Sequence, residues 1–327
     1  MVFPMLGKKG VRAARERFKK KKIKETKRIT LPFKILGQPI LWRPKKPPNI
    51  LIAALAGMVG AWAYQYHSAN TLDKRPWEER IVVEHGDIEE VAPSLWTVKA
   101  PFWGFKDLRT MTIYRLNSGG LFLHNAIAVN EETRIKIESL GPPEIIAIPS
   151  AVLLSDSLAY KEKYPQAKLV GPNSVVDKYG EGIRLDASTE EIFSKENKYG
   201  VKLHKPPLKD YYQEYIFDVP LEDGKRALII SEVLLNVDGN TKRSLWFTVL
   251  DSVYGICGDG SQPKMSLGYR KWASSDNKDL RIFWAKMADY VKKTNQTDHP
   301  IKLATVVHSK EITGDLESKL RVLQRSL

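Results

Sequence analysis

At 327 residues the chain is about twice the length of a common single domain. Its 43% apolar and 28% charged residues exclude both a wholly disordered chain and a polytopic membrane protein. The formal charge of +14 is local: residues 1–48 carry sixteen Lys and Arg against Glu16 and Glu25, and the remainder carries 36 basic and 36 acidic residues. A neutral body with a basic arm results, so charge does not make the body a nucleic-acid binder. The single cysteine, Cys257, excludes an intramolecular disulfide and any cysteine-cluster metal centre.

The arm comes first. Arg12, Arg15, Arg17, the run Lys19, Lys20, Lys21 and Lys22, then Lys24, Lys27 and Arg28 concentrate like charge that no small core can bury. Such a segment either stays solvated, serves as a presequence, or meets a polyanion: anionic lipid headgroups, RNA or an acidic protein surface. Pro32, Pro39, Pro44, Pro47 and Pro48 then keep the chain extended up to residue 48.

Ile50 to Tyr64 (ILIAALAGMVGAWAY) has no charged side chain and extends with mild polarity to Ala69. Twenty residues of helix span about 30 Å, so a single transmembrane helix over 49–69 is expected. Trp62, Tyr64 and Tyr66 crowd one end and basic residues the other. Ala53, Gly57 and Ala61 recur every fourth residue, as do Ala56 and Gly60, giving a smooth face suited to close packing against other helices. The alternative is a buried helix of a water-soluble fold. The excess of basic residues on the arm would keep it on the cytoplasmic or matrix side, with the body across the membrane.

After a linker over 70–90, short runs alternate in character. Thr112 to Leu116 and Leu121 to Val129 form a predicted hairpin turned at Asn117-Ser118-Gly119-Gly120, where the glycine pair supplies positive φ. A helix is expected over Asn130 to Leu140, a strand covered on both faces over Ile145 to Pro149, a helix over Ser155 to Tyr164 and a strand over Ala167 to Gly171. A second hairpin joins Tyr215–Val219 to Arg226–Ile230 through Glu222-Asp223-Gly224. A helix over Asp279 to Lys293 and a strand from Ala304 to His308 follow. Such alternation argues for an α/β sandwich.

The segments VAPSLWTVKAPF, MTIYRLNSGGLFLHNAIAV, LGPPEIIAIPSAVLLSDSLAYKEKYPQAKLVGP, LEDGKRALIISEVLLNV and VVHSKEI occur in an order that resembles an uncharacterised family of metallo-beta-lactamase-like domains from bacteria, algae and plants. The resemblance covers most of Val91 to about Leu320, within a domain expected over 91–327, and implies an αββα sandwich. It also implies a histidine pair where this chain has Leu153 and Leu154, an acidic position at Glu232 and a late histidine at His308. Asp156, Glu232 and His308 are then the only ligand types left, a poor set for a catalytic metal without the histidine cluster.

Other chemistry finds no foothold. The chain contains no Gly-x-Ser-x-Gly elbow, Walker loop, His-Glu-x-x-His or Gly-x-Gly-x-x-Gly motif. The glycine-rich stretch Gly255 to Gly260 lacks the lysine of a phosphate loop, and His124 reads as a satisfied core histidine. No cofactor and no small-molecule substrate are expected. The reading that joins the parts is a degenerate hydrolase fold kept as a scaffold: a non-catalytic accessory subunit of a mitochondrial inner-membrane assembly, with thylakoid or other organellar membranes as alternatives. Its expected partners are other subunits and anionic lipid. Two further readings stand beside it: a supernumerary organellar ribosomal protein whose arm binds RNA, and a membrane-tethered metal-dependent hydrolase.

Overall fold

The computed structural model describes residues 76–80, 82, 84–102, 105–154, 156–194, 197–238, 257–258, 262–308 and 310–327, with positions 34, 35, 38 and 39. The chain divides into two compact units, Met1–Tyr64 and Gln65–Leu327. In the first, Lys34–Ile35 pairs antiparallel with Gln38–Pro39. The arm positions Arg12 to Lys24, and the expected membrane helix with Ala53, Ala56, Gly57, Gly60 and Ala61, lie outside the described residues. Among the described residues no helix is long and apolar enough to cross a membrane.

The second unit opens with an antiparallel meander, β1 (Glu89–Ala92), β2 (Leu95–Phe102), β3 (Phe105–Arg115) and β4 (Leu121–His124). Its hydrophobic residues alternate with period two and sort into two cores. Trp96, Val98, Met111, Ile113, Leu121 and Leu123 face one side; Leu95, Tyr114 and Phe122 face the other. The sheet continues in parallel through β5 (Pro143–Ala147), β6 (Lys168–Gly171) and β7 (Ala187–Ser188), in sequential order. Parallel neighbours need crossovers. These run through α1 (Glu131–Leu140) and α2 (Ser157–Lys163), with α3 (Asn173–Tyr179) and α4 (Thr189–Ile192) before and after β7. Asn130 caps α1 by accepting from the Thr133 amide. Ile137, Tyr160 and Val175 seat the first three helices on the outer face of this sheet.

The second sheet takes the order β8 (Lys202–His204), β9 (Ile216–Pro220), β10 (Arg226–Ile230), β13 (Ile301–Val306), β14 (Ile312–Thr313). Between β10 and β13, a short parallel pair joins β11 (Val237–Asp238) to β12 (Cys257–Gly258), the only described part of the glycine-rich stretch. Next come α5 (Leu267–Trp272) and α6 (Asn277–Thr294), and α7 (Leu316–Ser326) ends the chain. Phe217, Val219, Ala227, Ile229 and Leu303 turn toward the first sheet and complete the central core. Leu228, Ile230, Ala304 and Val306 turn outward. There α6 lays down Leu280, Trp284, Met287, Ala288 and Val291, and α7 adds Leu316, Leu320 and Leu323, both at helical spacing. The layers are therefore helix, sheet, sheet, helix.

The expected elements shift in three places. β4 stops at His124 rather than at Val129, because Asn125 adopts φ 58° and donates its side-chain amide to the Thr110 carbonyl at 2.8 Å, turning the chain out of the ladder. In the hairpin before it only Gly119 has positive φ, 83°; Gly120 instead lacks room, since a Cβ there would lie 2.3 Å from Glu144 Oε2. β13 ends at Val306, two residues before His308. The expected linker contributes packing of its own: Trp77 meets Tyr160 edge to face with ring centroids 4.9 Å apart.

Candidate functional site

The parallel strands β4, β5, β10 and β13 point the same way along the two sheets, and polar side chains collect at their carboxyl ends. Thr112 on β3 donates across to Thr305 on β13 at 3.1 Å, and the Thr110 amide donates to the Val307 carbonyl at 2.8 Å, so the sheets are stitched at this end. Beyond the last rung of β10 come Ser231 and Glu232, and beyond β13 comes His308. Adjacent parallel strands bring the last two together, with His308 Nε2 at 3.2 Å from Glu232 Oε1.

Ser231 and His124 form a second pair, Oγ to Nε2 at 3.2 Å, with both residues fully buried. Phe122 and Phe217 flank the imidazole at 6.1 and 5.5 Å between centroids. Burial drives the imidazole pKa down to about 3, which keeps it neutral. A serine beside a histidine suggests a nucleophile and its base, but the ring's Nδ1 has no hydrogen-bond partner to orient it, and no substrate reaches a fully buried hydroxyl. The expected satisfied core histidine is thus satisfied on one nitrogen only.

Glu214 carries no signal in the sequence. Its carboxyl is fully buried, accepts from the Val233 amide at 2.9 Å and from the Tyr269 hydroxyl, and is pushed up to about 8 by burial, reinforced by the charge of Glu232. Glu214 precedes an apolar strand, where a lone acid ordinarily reads as solvated. Its role here is to hold the Ser231–Leu235 turn that presents Glu232.

Asp156 sits after β5, where a ligand would be needed, but its oxygens are committed. Oδ2 accepts from the Ala128 amide at 2.8 Å and from Arg109 at 3.0 Å, and Oδ1 faces Arg80 at 3.4 Å. Arg109 also donates to the Ala126 carbonyl at 2.9 Å. This cluster fastens the loop leaving β4 to the start of α2. Leu153 is buried and Leu154 packs against the outer core, so both leucines serve as hydrocarbon.

A metal ion fits this donor set poorly. Leucine has no lone pair and Asp156 is neutralised by two guanidinium groups, so only Glu232 and His308 are left as a donor pair. Among the described residues no group of three or more His, Cys, Asp or Glu side chains could hold a metal. The structure thus joins Glu232 to His308 and leaves Asp156 to a separate ionic cluster.

The layering derived above is that of a four-layer αββα sandwich. No family model matches the sequence, and no curated protein matches it. Among solved structures, the chain is similar to a metallo-beta-lactamase from Pontibacter korlensis, at 12% identity and TM-score 0.47 over 74% of this chain and 99% of that one. It is also similar to the metallo-beta-lactamase FIM-1 from Pseudomonas aeruginosa in its mono-zinc form, at 9% identity and TM-score 0.47 over 75% of this chain and 97% of that one. A metallo-beta-lactamase from Erythrobacter litoralis gives 9% identity and TM-score 0.47 over 73% and 96%. Likenesses this remote carry no inference about ligands or activity.

Proposed function

We propose that this protein is a non-catalytic accessory subunit of a large organellar membrane assembly, a respiratory-chain or ATP-synthase complex of the mitochondrial inner membrane, in which the sandwich serves as a scaffold. The observation that carries the reading is the state of Asp156. The one ligand-type residue at the end of β5 is bound by Arg80, Arg109 and the Ala128 amide, which makes it a structural clamp. With leucines at 153 and 154, the strand end that resembles a hydrolase centre holds side chains chosen for packing. The sequence supplies the remainder of the reading: a polybasic arm, and an apolar segment with a small-residue face suited to helix neighbours.

The test is carbonate extraction of native membranes followed by native-gel separation of detergent-solubilised material, with this chain tracked by mass spectrometry. Retention in the membrane and comigration with a respiratory complex is the expected result. Release by carbonate with comigration alongside ribosomal particles would replace it with the RNA-binding reading, and stoichiometric zinc, iron or manganese in the purified protein would restore the hydrolase.

A further inference from the structure

The amine of Lys178 is folded into a small cage. From the last turn of α3 its Nζ donates to the Ala151 carbonyl at 3.0 Å, in the loop that leaves β5, and lies over two rings, Tyr179 at 4.8 Å and Tyr211 at 5.5 Å from their centroids. The Tyr179 hydroxyl donates to the same carbonyl at 3.2 Å, so the helix, the loop and the turn Asp210–Tyr212 close around one nitrogen. The cage is not sealed, because Lys178 and Tyr179 are only half-buried and Tyr211 is 41% exposed.

Burial moves this amine and lowers its pKa to about 8. The groups around it do not reverse that. Asp177 on α3 and Asp210 in the turn are exposed and contribute nothing to the shift, Lys209 is turned to the Trp272 carbonyl at 2.9 Å, and Tyr179 is itself raised to about 12 and stays neutral. The ring faces favour the ammonium, but they are not a full counter-charge. An amine that is partly neutral, with one N–H held by a carbonyl, has a lone pair to offer as a nucleophile. An acyl thioester suits this cage: the two ring walls can receive a short uncharged acyl group, and the amide that forms keeps one N–H for the Ala151 carbonyl while giving up the charge that burial penalises. We infer that Lys178 is an acylation site of the body, at which the Nζ lone pair attacks the carbonyl carbon of a thioester, the C–S bond breaks, and one amine proton passes to the departing thiolate or to solvent. This goes beyond the scaffold reading and does not depend on it.

The experiment treats the full-length chain with acetyl-coenzyme A at a series of pH values and follows each lysine by mass spectrometry of the digested protein. Exposed Lys168 and Lys271 are the internal references. At neutral to mildly alkaline pH, acetylation of Lys178 is expected to run about tenfold faster than at either reference. Its rate should level off above about pH 8, where an ordinary lysine amine is still gaining reactivity. In the urea-unfolded chain the three rates should converge, because the cage is gone. A native rate at Lys178 equal to or below those of the references would overturn the inference. So would a preference that survives unfolding, which would trace it to the local sequence and not to the cage.

Discussion

His308 Nε2 lies 3.2 Å from Glu232 Oε1, and this contact is made by the residues that follow two adjacent parallel strands, β10 and β13. The pair is a local staple between two turns, joined by Asn236, whose amide donates to the carbonyls of Lys310 and Glu311 at 3.1 and 3.2 Å.

Removing the staple should therefore cost little. His308→Ala or Glu232→Ala is expected to lower stability by about 1 kcal/mol, the worth of a partly buried hydrogen bond, and Glu232→Gln by less, because an acceptor oxygen remains. Urea unfolding reads the difference. Under the scaffold reading all three variants enter the parent assembly normally; loss of a measurable activity with assembly intact would contradict it.

Asp156 is expected to behave differently. Arg80 and Arg109 have side chains only 3 and 16% exposed, so Asp156→Ala removes the carboxylate that faces two guanidinium groups in a poorly solvated site. A loss of about 3 kcal/mol is expected, toward the low end for a broken buried ion pair because the carboxylate is itself 17% exposed. Asp156→Asn retains an acceptor for the Ala128 amide and should lose about half as much. Thermal unfolding of the two variants decides the matter; equal and negligible losses would show that the cluster is ornamental.

How much of this was legible in the sequence follows from the range of the interactions. The hairpins at Gly119 and Gly224, α1 with its Asn130 cap, and α6 all declare themselves within a dozen residues, through turn chemistry and periodicity. α7 is missing from the elements expected above, although Leu316, Leu320 and Leu323 stand at helical spacing behind Asp315 as cap. The site was not legible. Arg80 meets Asp156 and Glu232 meets His308 across 76 positions each, and Glu214 reaches Tyr269 across 55. No periodicity encodes such pairs, because sheet order and crossover geometry create them. The end of β4 was misread for a local reason: Ala126 to Val129 are apolar and buried like a strand, but Asn125 has already turned them out of the ladder.

Trp284 separates packing from polarity in the outer core. It is fully buried on α6, and its indole N–H has no hydrogen-bond partner. Trp284→Ala should cost about 3–5 kcal/mol through lost contacts and the cavity left behind. Trp284→Phe gives up part of the ring but also removes an unpaired buried donor, and is expected to cost about 1 kcal/mol or less. Calorimetry of the two variants should show this gap; a phenylalanine variant as damaged as the alanine one would mean that the indole N–H has a partner after all.

The stability of the body should vary least over a narrow pH range and fall on both sides, for opposite reasons. The imidazole of His124 is lowered from 6.5 to about 3 by burial, so between those values the unfolded chain binds the extra proton and stability is lost as pH falls. Half-buried His204 is shifted in the same direction, again chiefly by desolvation, and adds a slope of the same sign just below 6.5. The carboxyl of Glu214 is raised from 4.5 to about 8, so between those values the native state holds the extra proton and stability is lost as pH rises. The two windows overlap between 4.5 and 6.5, where the slopes of His124 and Glu214 oppose one another and the dependence is shallowest, with the contribution of His204 left over. Each limb should span on the order of a few kcal/mol. Glu214→Gln should remove the alkaline limb and leave the rise with pH running on to 6.5, since the amide oxygen can accept from Val233 while its NH2 group donates to the Tyr269 hydroxyl and nothing ionises, whereas His124→Asn should weaken the acid limb and let the fall with pH begin near 4.5. Urea midpoints measured from pH 3 to pH 9 for the three proteins test the assignment, and an alkaline limb that survives Glu214→Gln would place its origin elsewhere.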